Sequence, residues 1–141
     1  MSADVRIARI SDAPLSLDAH VAAVSGPATG AITTFVGTVR SADPDAAGEV
    51  VALEYTAHPD AEQGLRGLAE RAGDGVLVAV SHRVGRLAVG EPAVVIAVGS
   101  GHRAEAFSAC RALIEAIKTD LPVWKRQVEA DGTTEWKGLG G

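Results

Sequence analysis

Lys118 and Lys125 stand seven residues apart with Pro122 between them, and Lys137 is the only other lysine of the chain. Ten arginines carry the rest of the positive charge, so two of three lysines flank one chain-bending residue. Proline lacks an N–H and its ring clashes with the preceding turn, so a helix cannot run through it. The two amines therefore sit on different elements, and the chain must fold one toward the other for them to meet. Two ammonium groups in one pocket disfavour each other's charge, and partial burial lowers the pKa further. The product is a lysine able to act as acid, base or nucleophile near neutral pH. The alternative is a pair of ordinary solvated lysines.

A second feature is the segment GSGHR at residues 99–103, where a strand is expected to give way to a long helix. Free backbone N–H groups and the helix dipole favour an anion at such a start, and His102 and Arg103 add donors there. Gly-x-Gly also occurs as plain turn chemistry, and the spacing is that of neither a P-loop nor a dinucleotide fingerprint; no cofactor is expected. Arg40 ends a strand just before a loop, where its fork can grip a carboxylate or phosphate or simply face water. The histidines at 20, 58, 82 and 102 share no close spacing with one another or with Cys110, so no metal site is expected. Cys110 falls on an apolar helix stripe, where burial raises a thiol's pKa; any sulfur chemistry would need sulfur from elsewhere.

These groups need elements to position them. Residues 5–10 alternate as a half-buried strand, and residues 14–24 read as a short helix. A strand at 31–40 feeds a small, polar loop at 41–48, and a strand returns at 50–57. His58-Pro59-Asp60 opens a helix with Leu65, Leu68 and Ala72 on one face, stopped by Gly73. Residues 76–84 and 93–98 are apolar enough for central strands, joined by a tight excursion over 85–92.

From 102 to 121 the spacing of Phe107, Cys110, Ile114, Ile117 and Leu121 predicts a helix lying on a sheet. At ~100° per residue, Lys118 falls some 60 to 70° from the centre of that stripe, at its edge. Beyond Pro122 a strand over 123–128, a turn at Asp131-Gly132 and a last strand over 133–137 are expected. Trp124 and Trp136 are read first as core and second as a subunit interface. Strands and helices mixed in this way predict an α+β fold, mixed or antiparallel sheets covered by helices, in a single domain spanning 1–141.

With 141 residues, 47% of them hydrophobic, the chain can bury a real core. A net charge of -5 argues against a nucleic-acid surface, so any anion must be held locally. One cysteine, no secretory pattern at the N-terminus and no apolar run near the length of a membrane span point to the cytoplasm.

Five ordered blocks, FVGTVR at 35–40, LEYTAHP at 53–59, SHRVGRLAVGE at 81–91, GHR at 101–103 and KTDLPVWK at 118–125, resemble the molybdopterin synthase catalytic subunit family, MoaE. The resemblance runs from about residue 30 to 136, and IKTDLPVWKRQ before DGTTEW is its most specific part. It implies an α/β hammerhead-type fold and a homodimer with a small ubiquitin-like sulfur carrier at each end, forming a heterotetramer. The carrier's thiocarboxylated Gly-Gly tail would enter the site, and a cyclic pyranopterin monophosphate would become molybdopterin.

By position, Lys118 and Lys125 resemble the family's catalytic lysines. Arg40, His102, Arg103, Arg126 and Gln127, with backbone near Thr38 and Val39, resemble its substrate contacts. Two other readings stand beside this one: a non-catalytic docking protein for a ubiquitin-like partner, and a lysine-dependent lyase working through a Schiff base. The ending at 138–141, GLGG, departs from the family, since a terminal di-glycine belongs to the carrier; a flexible tail is expected there.

Overall fold

The computed structural model describes residues 2–42 and 48–137. Its order is β1 (Asp4–Ser11), α1 (Leu17–Ala23), β2 (Ala31–Thr38), β3 (Val50–Ala57), α2 (Ala61–Glu70), β4 (Leu77–Arg83), β5 (Gly85–Ala88), β6 (Pro92–Ser100), α3 (Arg103–Asp120), β7 (Val123–Glu129) and β8 (Thr134–Lys137). The expected loop at 41–48 falls largely, and the expected tail at 138–141 entirely, outside the described residues.

Two four-stranded sheets result, with orders β1-β4-β6-β2 and β5-β3-β7-β8. In the first, β1 runs parallel to β4 and the other pairs are antiparallel; the second is antiparallel throughout. This is the α+β class that the mixed pattern predicts.

β4 and β6 are the apolar central strands, buried on both faces along most of their length, as continuous Val/Ile/Ala runs require. On one face Val78, Val80, Ile96 and Val98 pack with Leu65 of α2 and Leu113 and Ile117 of α3. On the other, Ala79 and Ala97 meet Val24 at the end of α1. The second sheet joins the first through Val39, Val50, Leu53, Leu87 and Ala93.

The structure corrects three expectations. The excursion over 85–92 contains β5, which pairs with β3 in the second sheet. Gly85, at φ 93°, takes the left-handed backbone that lets the chain leave β4 for the other sheet; β5 is only four residues long, too short for its alternation to stand out.

The buried stripe of α3 is Ala106, Ala109, Cys110, Leu113 and Ile117, while Phe107 is 61% exposed. Alanines define that face, and a reading weighted toward large side chains centred it about 60° away. Trp124 and Trp136 are exposed at 44% and 58% rather than core, because alternation along β7 and β8 turns them from the core face. Arg126 stacks over the Trp136 ring, 5.4 Å from its centroid.

Candidate active site

Where the first sheet, the second sheet and the C-terminal turn of α3 meet, a cavity of about 350 Å³ opens. Phe35 and Gly37 of β2, with Thr38 and Arg40 at its end, form one wall. Leu53 and Tyr55 of β3 and Lys125 and Gln127 of β7 form another, and His82, Val94 and Lys118 close it. The two lysines on either side of Pro122 therefore line one cavity.

The register explains the second wall. Leu53 lies opposite Gln127 and Tyr55 opposite Lys125, so all four side chains share one face of the sheet. Trp124 and Arg126, one residue out of phase, point to the other face. Arg126 Nη2 donates to both carboxylate oxygens of Glu54, at 2.9 and 2.8 Å, and Arg86 lies 3.7 Å from the same carboxylate. Arg126 thus stands outside the cavity.

Gly37 is required by close approach at the first wall: a Cβ there would lie 2.8 Å from Val94 Cγ1. A register shift between Gly37 and Thr38 turns β2 toward the cavity mouth. Thr38 and Arg40 are exposed there, whereas Val39 is buried. Val39 spends its backbone within the fold, its N–H donating to Glu91 O at 3.0 Å and its carbonyl accepting from Gly90 N–H at 2.7 Å.

Lys118 lies about 120° from the centre of the true buried face of α3, at ~100° per residue. Much of its side chain is exposed, but the cavity wall takes water from the amine and lowers its pKa below the ordinary lysine value. The cause is lost solvation. Among the described residues the ion pairs involve Arg6, His58, Arg83, Arg86 and Arg126, and none engages Arg40 or Lys118. Arg40 and Lys118 consequently bring positive charge to the cavity that an anion can meet.

His102 and Arg103 are not brought to this cavity. They are exposed at the N-terminus of α3, and the fifteen residue steps from Arg103 to Lys118 span roughly 22 Å of helix. The family resemblance groups the two ends; the length of the helix separates them within one chain.

Sequence reasoning missed His82 and Tyr55. Both sit inside blocks chosen for resemblance, and the signal was there: Ser81, His82 and Arg83 are consecutive polar residues closing an apolar strand. His82 is 6% exposed, and burial holds its pKa at about 4. Tyr55 packs edge-on against it, ring centroids 5.1 Å apart, and burial pushes the phenol up to about 12, which keeps it neutral.

Depression of the His82 pKa from 6.5 makes the fold acid-sensitive. Below pH 6.5 the unfolded chain gains a proton that the folded chain refuses, so stability falls as pH drops toward 4 and levels off below that. The loss attributable to this group is expected to reach about 3 kcal/mol. Denaturant melts of wild type and His82→Leu at pH 7 and pH 4 check it: the gap between the two pH values should narrow in the variant.

A cavity lined by two amines, a guanidinium and neutral hydrogen-bonding groups is the kind of site in which an α+β enzyme can hold an anionic substrate. Residues 10–120 match the model of the MoaE protein family, and the chain belongs to that family. The matched stretch holds Arg40, His102, Arg103 and Lys118 and ends before β7.

The chain is 45% identical over 134 residues to molybdopterin synthase catalytic subunit 1 of Mycobacterium tuberculosis (strain ATCC 25618 / H37Rv), covering 92% of this chain and 89% of that protein. Among solved structures, molybdopterin synthase from Staphylococcus aureus superposes with a TM-score of 0.85 at 31% identity, over 92% of this chain and 95% of that one. The protein-protein complex of subunit 1 and 2 of molybdopterin-converting factor from Helicobacter pylori 26695 shares the fold, with a TM-score of 0.72 at 20% identity over 94% and 88% of the two chains.

Proposed function

We propose that this chain is the catalytic subunit of a molybdopterin synthase, a sulfurtransferase that converts cyclic pyranopterin monophosphate to molybdopterin with two sulfurs from a thiocarboxylated carrier. The observation that carries the reading is that Lys118 and Lys125, from two elements separated by Pro122, line one cavity with Arg40. Membership of the MoaE family supports it, as does the name of the Mycobacterium tuberculosis relative.

The chemistry asks for such a site. Sulfur must add at two adjacent carbons while a cyclic phosphate opens, which requires cations for the phosphate and a proton donor and acceptor for each addition and elimination. Lys118, with its lowered pKa, serves as general acid and base beside the incoming thiocarboxylate. Lys125 polarises the pterin, Gln127 and the Thr38 end of β2 orient it, and Arg40 holds phosphate. Arg126 supports this wall from the opposite face by fixing Glu54.

His102 and Arg103 lie too far along α3 to reach the same substrate, so in this reading a homodimer brings them to the neighbouring subunit's cavity. A small ubiquitin-like carrier would insert its C-terminal Gly-Gly tail at each end, giving a heterotetramer; the two-subunit complex from Helicobacter pylori supports a paired arrangement. The compartment proposed for this work is the cytoplasm, in keeping with a single cysteine that has no partner for an internal disulfide. No helix among the described residues is long and apolar enough to cross a membrane.

Incubation with a thiocarboxylated carrier and the cyclic precursor tests the proposal, with dithiolene product as the readout. Product formation that depends on both partners is expected; a site that traps substrate on borohydride treatment instead would establish a Schiff-base lyase.

A further inference from the structure

Adjacent residues of β4 send Ser81 and His82 to opposite faces of the strand, and the two faces treat a histidine ring differently. On the α1 side, Ser81 Oγ lies 2.8 Å from His20 Nε2, and His20 Nδ1 lies 2.6 Å from Ser16 O. Both nitrogens of that ring are engaged, and His20 is a satisfied core residue. On the cavity side, His82 Nδ1 lies 2.7 Å from Arg83 O. A carbonyl only accepts, so Nδ1 carries the hydrogen and Nε2 is left with its lone pair. Among the described residues no hydrogen bond reaches Nε2.

That lone pair belongs to a cavity that also holds several donors. Lys118 of α3, Lys125 of β7, Tyr55 of β3 and Arg40 beyond β2 line the same space. The ring's edge contact with Tyr55 fixes its plane, and the charge of Lys118 is near enough to disfavour protonation of the imidazole.

We propose that His82 is a positioning residue for Lys118: when the site is occupied, Nε2 accepts a hydrogen bond from the Lys118 amine and fixes the direction in which it gives and takes its proton. The inference rests on the proton-transfer role given to Lys118 above. His82 is not itself the base, because an imidazole that titrates at about 4 does not retain a proton taken from an ammonium. The bond tightens only on substrate binding, as is common for site contacts that are long in the empty enzyme.

Two variants of similar volume separate an acceptor from a space-filler: His82→Gln restores an acceptor oxygen, and His82→Leu does not. With the carrier and precursor, His82→Leu is expected to lower kcat by about 10- to 100-fold with KM changed less than about threefold, the scale of a misdirected catalytic group. His82→Gln should recover most of that loss. A folded His82→Leu with wild-type kcat, or a His82→Gln no better than His82→Leu, overturns the proposal.

A second measurement needs no turnover. With lysine labelled at the ε-carbon, only three signals appear, and in precursor-bound protein the Lys118 titration midpoint should move to lower pH in His82→Leu, since the ammonium loses an acceptor. An unmoved midpoint sinks the positioning role. Should the position 82 variants misfold, the imidazole nitrogen spectrum of Lys118→Ala serves instead: the His82 Nε2 resonance of the bound protein must shift from its wild-type value, and identity of the two contradicts the contact. Absence of dithiolene from wild type itself would defeat the functional reading while leaving these two spectra to judge the contact.

Discussion

Lys118→Ala is expected to lower dithiolene formation by about 10²- to 10⁴-fold while binding of the sulfur carrier stays within a few-fold. The range is that of a positioned general acid–base group. Carrier affinity should persist because docking of a protein partner spreads over many contacts, whereas Lys118 contributes one partly exposed side chain at the cavity. Structural loss is not expected either: the residue lies on the flank of α3 and leaves the Ala106–Leu113–Ile117 face untouched. Initial rates beside calorimetric carrier binding make the test. A variant that turns over as wild type does removes Lys118 from the mechanism.

Leu113→Ala, one helical turn and a residue earlier, should behave in the opposite way. Leu113 is wholly buried between α3 and the central strands, packed in the cluster with Val78, Ile96 and Leu65. Removing its branched end there opens a cavity that flanking β-strands cannot close, so a cost of about 3 to 5 kcal/mol is expected. That is a large share of the stability of a domain of this size. Denaturant unfolding at neutral pH measures it, and kcat per folded molecule should fall far less than in Lys118→Ala. A loss below about 1 kcal/mol would mean that the core around α3 is looser than its packing indicates.

The contrast between these two neighbours shows what the residues disclosed and what they withheld. β3 was legible at both ends, since alternation and flanking turn residues agree over 50–57. The bounds of α3 were legible within a residue or two, since Pro122 and the apolar spacing both fix them. Its orientation was not: the true face is built on Ala106, Ala109 and Leu113, and Phe107, the largest apolar side chain of the helix, faces outward. Size misled where small residues allow close packing against β2 and β6.

For the site, scarcity of lysine and the intervening proline singled out the two amines that now line one cavity. Which sheet face they shared depended on pairing between β3 and β7, a long-range register that no local pattern encodes. Arg126 was grouped with Lys125 and Gln127 although period-two alternation turns it away. His102 and Arg103 were grouped with Lys118 although helix rise places them roughly 22 Å off. Both separations follow from element geometry once the elements are known. His82 stayed hidden because its significance lies in an unused ring nitrogen, which becomes visible only when the Arg83 carbonyl and Tyr55 ring are seen around it.

The central claim is that Lys118 and Lys125 attend the same bound molecule. Amine-selective labelling, read by mass spectrometry across a titration with the cyclic precursor, tests it most directly. Both lysines should become protected in parallel, half-protection falling at one shared precursor concentration. Protection of one amine without the other, or of neither at saturating precursor, would contradict the account.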